Sequence, residues 1–213
     1  MESTYKNIYF LFLFVLVLIF IGFYKTYFSL FPSFEGVKSI YHFHAFMFLS
    51  WVAFLIIQPI LIRKKKIEWH RFLGKISYVL IPMLILSVCL VVQNEQVRSK
   101  NLMNLSFAFS DMGFFLLMYG LAIFNKNRTS YHIRYMVMTI LPFINPSVAR
   151  VIYGFPTAMI GLTIILSLII FERFRTKIYH PLIVGLVTFL IFYGVFSMLP
   201  LSFWDIIWQF IFS

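Results

Sequence analysis

The chain has 213 residues, of which 62% are hydrophobic and only 12% are charged, whereas about a quarter of the residues in a soluble domain are charged. This composition argues against an ordinary soluble domain and predicts a single transmembrane domain over residues 1–213. The net charge of +11 does not indicate nucleic-acid binding, because the basic residues stand in short loops between apolar runs, as in membrane proteins.

Seven apolar runs follow one another along the chain, and most are near the ~20 residues that cross hydrocarbon as a helix, while the sixth is short but continuous. The first lacks the small-residue cleavage site of a signal peptide, so we expect it to remain in the mature chain. The fifth contains Pro142 and Pro146, which we expect to kink it. The predicted spans are about Ile8–Tyr24, Tyr41–Ile62, Ile76–Val92, Leu102–Phe124, Ile133–Tyr153, Thr157–Phe171 and Pro181–Leu199.

The tail after the seventh run predicts a helix that lies in the membrane interface. Ser202 is a candidate N-cap, and Trp204 and Trp208 recur at helical spacing among apolar residues, a pattern typical of interfacial helices. The predicted fold is therefore all-α: a polytopic seven-transmembrane-helix bundle with a C-terminal interfacial helix.

Basic residues predict the orientation of this bundle. With seven spans, 13 of the 18 Lys and Arg residues fall on the side of the amino terminus. Loops on the cytoplasmic side carry the excess of Lys and Arg, so the amino terminus is predicted to be inside. The five residues on the opposite side are Lys25, Lys38, Arg98, Lys100 and Arg150.

Polar residues near the outer face form a first candidate group, since an ionisable side chain in a bilayer is costly and often functional. Asp111 is the one acid within the seven predicted spans, and Arg150 lies near the outer end of the fifth. These two are expected to form a structural ion pair or to line a polar path together with His44. His42 and His44 point in different directions on a helix, so they are not expected to face one ligand.

A second candidate group lies near the inner face. His70, His132 and His180 open the third, fifth and seventh predicted spans, where free N–H groups and the helix dipole favour an anion such as a phosphate, a carboxylate or a haem propionate. The alternative is that these residues only anchor helix ends in the interface. The cofactor-binding candidates of this group are Gln58, His70, Arg71, Tyr78, His132 and Arg134.

The sequence contains no local metal-binding motif, nucleophile elbow or nucleotide-binding loop, so it neither assigns nor excludes an enzymatic activity. Pairs of small residues four apart are sparse, and closely packed helix pairs are therefore not expected.

The order H…W…Q…HRxLGxxxY, followed by HxRxM and a later R, resembles a family of bacterial predicted membrane proteins of unknown function. The resemblance covers about residues 40–153 and implies a multi-pass protein of the bacterial inner membrane. Because no activity is established for the family, the resemblance supports the site residues and no reaction. The matching positions are His44, Trp51, Gln58, His70, Arg71, Gly74, Tyr78, His132, Arg134, Met136 and Arg150.

A looser likeness to transmembrane b-type cytochromes implies a haem b near the cytoplasmic face. His70 and His132 would be its ligands or contacts, and Arg71 and Arg134 would hold its acidic groups. The leading hypothesis is accordingly a redox or cofactor-binding membrane protein, with haem or quinone bound. The alternatives are a small-molecule or proton-coupled transporter and a non-catalytic accessory subunit that assembles with other membrane subunits.

Overall fold

The computed structural model of the protein describes residues 5–99, 102–152 and 157–212. Within these ranges the chain is helical and contains no β-strand, which confirms the all-α prediction. The helices are α1 (Tyr9–Phe23), α2 (Ser39–Arg63), α3 (Ile67–Ser99), α4 (Leu102–Phe124), α5 (Thr129–Met138), α6 (Leu141–Val151), α7 (Ala158–Arg175), α8 (His180–Phe189), α9 (Phe196–Met198) and α10 (Leu201–Phe212).

The chain forms two compact units. Unit 1 comprises Met1–Ser87 and Phe143–Thr157, and unit 2 comprises Val88–Pro142 and Ala158–Ser213. In unit 1, α1 packs along α2; in unit 2, α4 packs on α5, α8 packs on α5 and α7, and α10 packs on α4. The single transmembrane domain stays a prediction.

Four of the described helical segments are long and apolar enough to cross a membrane. Large apolar side chains such as Phe14, Phe46 and Phe124 are exposed on the helices, as expected of a surface that meets lipid rather than water. The protein thus has the character of a membrane protein. The four segments are Ser39–Arg63, Ile67–Glu95, Leu102–Phe124 and His180–Met198.

The other three predicted spans take different forms. The first is α1, whose 15 residues extend ~22 Å at ~1.5 Å per residue. The fifth is divided into α5 and α6, which are separated by Thr139 and Ile140. Pro142 is the second residue of α6, where its missing N–H costs no helical hydrogen bond. The sixth is part of α7, which continues through Glu172 to Arg175.

Two helix boundaries differ from the prediction. The third span was predicted to end near Val92, but α3 has 33 residues and continues to Ser99. Its length of ~50 Å is greater than the ~30 Å thickness of a hydrocarbon core. Helix α10 begins at Leu201, which places Ser202 inside the first turn and makes the predicted N-cap wrong.

The turn between α2 and α3 has a Schellman hydrogen-bond pattern. The N–H of Lys66 donates to the Leu61 carbonyl at 2.9 Å, and the N–H of Lys65 donates to the Ile62 carbonyl at 3.0 Å. Lys65 has a φ of 59°, the left-handed conformation that this motif requires at its first residue beyond the helix. The turn therefore ends α2 abruptly, and only three residues separate it from the start of α3.

Candidate functional site

Asp111, the acidic residue of α4, has a hydrogen-bond partner in the irregular segment that follows α8. The hydroxyl group of Tyr193 donates a hydrogen bond to Oδ1 of Asp111. Tyr193 lies in a π-helical turn, Leu190–Val195, that joins α8 to α9. Such turns widen the helix, leave backbone groups out of the regular pattern and occur frequently at functional sites. Both residues are half-buried and belong to unit 2.

Ser110 strengthens the attachment of this turn to α4. Its Oγ lies 2.7 Å from the carbonyl oxygen of Phe192 and 2.9 Å from that of Ser106. The side chain is buried, and its single proton serves two acceptors. Two successive residues of α4 thus hold two successive residues of the π turn.

Aromatic rings surround this contact. The Tyr193 ring stacks on Phe189 with centroids 4.2 Å apart and meets Phe114 edge-on at 6.1 Å. A Cβ atom at Gly113 would collide with the Phe192 ring, so the glycine permits the π turn to lie this close. The hydroxyl group that binds Asp111 therefore belongs to a tyrosine packed among aromatic rings.

Arg150, predicted to be a partner of Asp111, belongs to unit 1. Its Nη1 donates to the Pro146 carbonyl at 2.8 Å, and its guanidinium lies over the Phe23 ring at 4.1 Å. These contacts satisfy an exposed arginine at the end of α6. A pairing between Arg150 and Asp111 stays a prediction.

The two histidines of α2 have different neighbours, as their spacing predicts. His42 Nδ1 lies 2.8 Å from the hydroxyl oxygen of Tyr27. Burial raises the pKa of that hydroxyl above its ordinary value, so Tyr27 remains neutral. His44 Nδ1 lies 3.1 Å from Ser87 Oγ on α3, and Arg150 is within electrostatic range of His44. Two of the three outer residues, His44 and Arg150, therefore lie in one unit.

The inner candidates of unit 1 do not converge on a pocket. Gln58 is buried, and its Nε2 donates weakly to the His70 carbonyl at 3.4 Å, which ties α2 to α3 beyond the turn. His70 is half-buried and Arg71 is exposed. Tyr78 is 49% exposed on an apolar part of α3. Gln58 therefore contacts the start of α3, while Arg71 and Tyr78 lie on the surface, and a cofactor site at these residues stays a prediction.

Arg134 of unit 2 is part of a buried ion pair. Its Nη2 lies 2.8 Å from Oε2 of Glu172, and both side chains are fully buried. The same nitrogen donates to Thr176 Oγ1 at 3.1 Å, and Nη1 donates to the Ser130 carbonyl at 2.7 Å. The guanidinium is thus already balanced by protein oxygens, which does not favour its predicted role as a holder of a cofactor's acidic groups.

His132, two residues before Arg134, contacts the end of α4. Its Nδ1 lies 2.8 Å from the Ala122 carbonyl, one of the last carbonyls of that helix, which a nearby histidine commonly satisfies. His70 and His132 belong to different units, so a shared ligand stays a prediction. Within the described residues, no group of three or more His, Cys, Asp or Glu side chains is placed to hold a metal ion.

Ser110, Glu172 and Tyr193 are among the residues of these contacts that were not candidates in the sequence. Ser110 directly precedes Asp111, the one acid of the predicted spans, and its position in the sequence could have drawn attention to it. Glu172 directly follows the apolar run of α7 and stands four residues before Thr176, a spacing that places both on one helix face.

Comparison with protein-family models, with curated proteins and with solved structures finds no match. The resemblance to a bacterial membrane-protein family stays a prediction.

Proposed function

We propose that this chain is a multi-pass protein of the bacterial cytoplasmic membrane that transports a small molecule together with protons. In this proposal α1, the α5–α6 pair and α7 add three spans to the four long apolar segments, and the amino terminus is inside. Helix α1 is shorter than the ~30 Å hydrocarbon core, a mismatch that local thinning of the bilayer accommodates at modest cost. The distribution of Lys and Arg supports this orientation.

The observation that carries the proposal is the hydrogen bond between Asp111 and Tyr193. It joins an ionisable group inside one candidate span to a π turn inside another. Carboxyl groups in such positions commonly carry protons in transporters, and irregular helix segments there commonly line the transport path. When the carboxyl group takes up a proton, its hydrogen bond to the tyrosine changes in strength, which would couple proton binding to the geometry of the turn.

The test uses proteoliposomes with a trapped pH dye and a panel of solutes comprising sugars, amino acids and short carboxylates. Wild-type protein is expected to move protons when a transported solute is added. Asp111→Asn is expected to lower that proton flux at least about tenfold, because the amide does not titrate. Tyr193→Phe is expected to retain a reduced flux with an altered pH profile, because the carboxyl group remains.

Asp205→Asn is the matched control. Asp205 is the chain's other aspartate, is exposed on α10 and accepts a hydrogen bond from Gln209 at 3.0 Å. It is expected to behave as wild type. Equal flux in the Asp111 and Asp205 variants, or no proton movement with any solute, would contradict the proposal.

A second candidate function is the binding of haem b or quinone. One observation favours it: the contact of His132 Nδ1 with a backbone carbonyl fixes the ring and leaves Nε2 as the ligating atom, the usual arrangement of a metal-bound histidine. Haem would supply one-electron chemistry when bound.

The test of this second candidate is an absorption spectrum with metal analysis of the purified protein. A Soret band that is lost in His132→Ala and kept in His180→Ala would support haem binding. His180 is the control because it is another histidine at the start of a helix. Its ring stacks on the Tyr179 ring, with centroids 5.0 Å apart. A colourless and metal-free sample would contradict the haem version.

A further inference from the structure

The turn between α2 and α3 concentrates positive charge at one end of two candidate spans. Residues 63–75 contain six basic residues and one acid, Glu68. All six basic side chains are exposed. This basic cluster consists of Arg63, Lys64, Lys65, Lys66, Arg71 and Lys75.

The backbone of the turn fixes where the three lysines lie. The Schellman hydrogen bonds from Lys65 and Lys66 close the turn, and the left-handed φ of Lys65 directs the chain back towards the start of α3. The lysines therefore do not extend into solvent on a flexible loop, and their positive groups stay at the level of the helix ends.

The amino-terminal segment lies at the same place. Nη1 of Arg63 donates to Tyr9 Oη at 2.8 Å and to Asn7 Oδ1 at 3.2 Å. The exposed residue before Asn7 is Lys6, which adds a seventh positive charge near the end of α2. The amino-terminal segment lies close to Arg63 because α1 packs along α2.

Exposed aromatic side chains lie beside the cluster. Trp69 is 58% exposed and Phe72 is 55% exposed, and their rings meet edge-on with centroids 5.9 Å apart. Aromatic side chains in this position are typical of the level where lipid headgroups meet acyl chains. Positive charge and exposed aromatic rings on the first turns of one helix match the two chemical parts of a phospholipid.

We infer that the basic cluster, together with Trp69 and Phe72, binds the headgroups of anionic phospholipids such as phosphatidylglycerol. The exposed side chains form no enclosed cradle of the kind that selects a free phosphate ion, and the adjacent aromatic rings would contact only a ligand with an acyl chain. This inference concerns a surface separate from Asp111 and Tyr193 and does not depend on the proposed transport.

The experiment is native mass spectrometry of the detergent-purified protein titrated with phosphatidylglycerol or with phosphatidylcholine of the same acyl chains. Wild-type protein is expected to retain phosphatidylglycerol preferentially, and added salt is expected to weaken that preference. Each basic residue near an anionic surface contributes a factor of about five to binding. The triple variant Lys64→Gln, Lys65→Asn and Lys66→Gln should therefore lose at least about tenfold in affinity.

The matched control is Arg173→Gln, Arg175→Gln and Lys177→Asn. It also removes three positive charges at a helix end, and Lys177 shares the left-handed conformation of Lys65 with a φ of 60°, which asparagine tolerates in both variants. The control is expected to keep the lipid preference. Equal losses in both triple variants would overturn the inference.

Two further results keep the inference falsifiable if the triple variant folds poorly. The charge-conserving variant Lys64→Arg with Lys66→Arg should bind phosphatidylglycerol as wild type does. Inorganic phosphate at millimolar concentration should not displace the lipid. Displacement by phosphate alone, or a lack of preference between the two lipids in wild-type protein at low salt, would overturn it.

Discussion

Replacement of Arg134 by methionine is expected to lower the free energy of unfolding by about 3–5 kcal/mol, because it leaves a buried carboxylate without its positive partner. Glu172 is fully buried and accepts a hydrogen bond from Arg134 at 2.8 Å. Thr176 also donates to this carboxylate, but a neutral hydroxyl group does not balance a full charge. Denaturant or thermal unfolding of the purified protein in detergent measures the change.

The double variant Arg134→Met with Glu172→Leu distinguishes the interaction energy of the ion pair from the effect of losing one partner alone. Replacement of both charges by apolar groups removes the uncompensated charge, so this variant is expected to unfold within about 1 kcal/mol of wild type or to be more stable. The difference between the double variant and the sum of the single variants gives the coupling energy.

Arg128→Met is the control for the loss of an arginine in the same part of the chain. Arg128 is exposed immediately before α5, so its replacement is expected to change the stability by no more than about 0.5 kcal/mol. If Arg134→Met were as mild as this control, the Glu172 carboxylate would not depend on Arg134 to balance its charge, and the expectation would be wrong.

The apolar helices were the part of the fold that the sequence predicted best. The predicted span Leu102–Phe124 coincides with α4, and Tyr41–Ile62 falls within α2, Ser39–Arg63. These segments are continuous apolar runs bounded by basic or polar residues, so hydrophobicity alone determines their limits.

The candidate sites depended on information that a single sequence does not contain. Arg134 was predicted to meet an anionic ligand, but its partner is Glu172, which lies on another helix 38 positions away. The sixth predicted span ended at Phe171, directly before Glu172, although the helix continues through it. Which face of α7 meets α5 is decided by packing, and hydropathy does not report it.

The π turn illustrates a second kind of missing information. Tyr193 is one of 12 tyrosines, and no residue pattern in Leu190–Val195 distinguishes a π turn from an ordinary helical one. Asp111 was a candidate because a charge in an apolar run is conspicuous. Its partner became identifiable only when the neighbouring helix and its widened turn were placed against α4.

Replacement of Gly22 by alanine is the second change with a large expected effect. A Cβ atom at Gly22 would lie 2.5 Å from the carbonyl oxygen of Ser147 and 2.9 Å from its Cα. Both are backbone atoms of α6 and have no rotamer by which to move aside, so α1 must shift. Overpacking of this kind costs about 1–3 kcal/mol, and we expect Gly22→Ala to lower the unfolding free energy by that amount.

This close approach was not expected from the sequence, in which pairs of small residues four apart are sparse. Here the two small residues, Gly22 and Ser147, stand on different helices and let their backbones meet, as small residues do in membrane proteins. Ser147 is fully buried and donates its hydroxyl proton to the Phe143 carbonyl at 2.9 Å. Its polar group is therefore satisfied within α6 and does not disturb the contact.

Gly120→Ala is the matched control, because nothing lies within 4 Å of a Cβ atom built at Gly120 in α4. Alanine favours a helix over glycine by about 0.5–1 kcal/mol, so the control is expected to be neutral or stabilising. Thermal unfolding of both variants and of wild type is the measurement. The unfolding free energy should fall in Gly22→Ala and stay the same or rise in Gly120→Ala. If both variants gained stability, α1 and α6 would not be in the backbone contact described here, and the position of Phe23 beneath Arg150 would have to be revised as well.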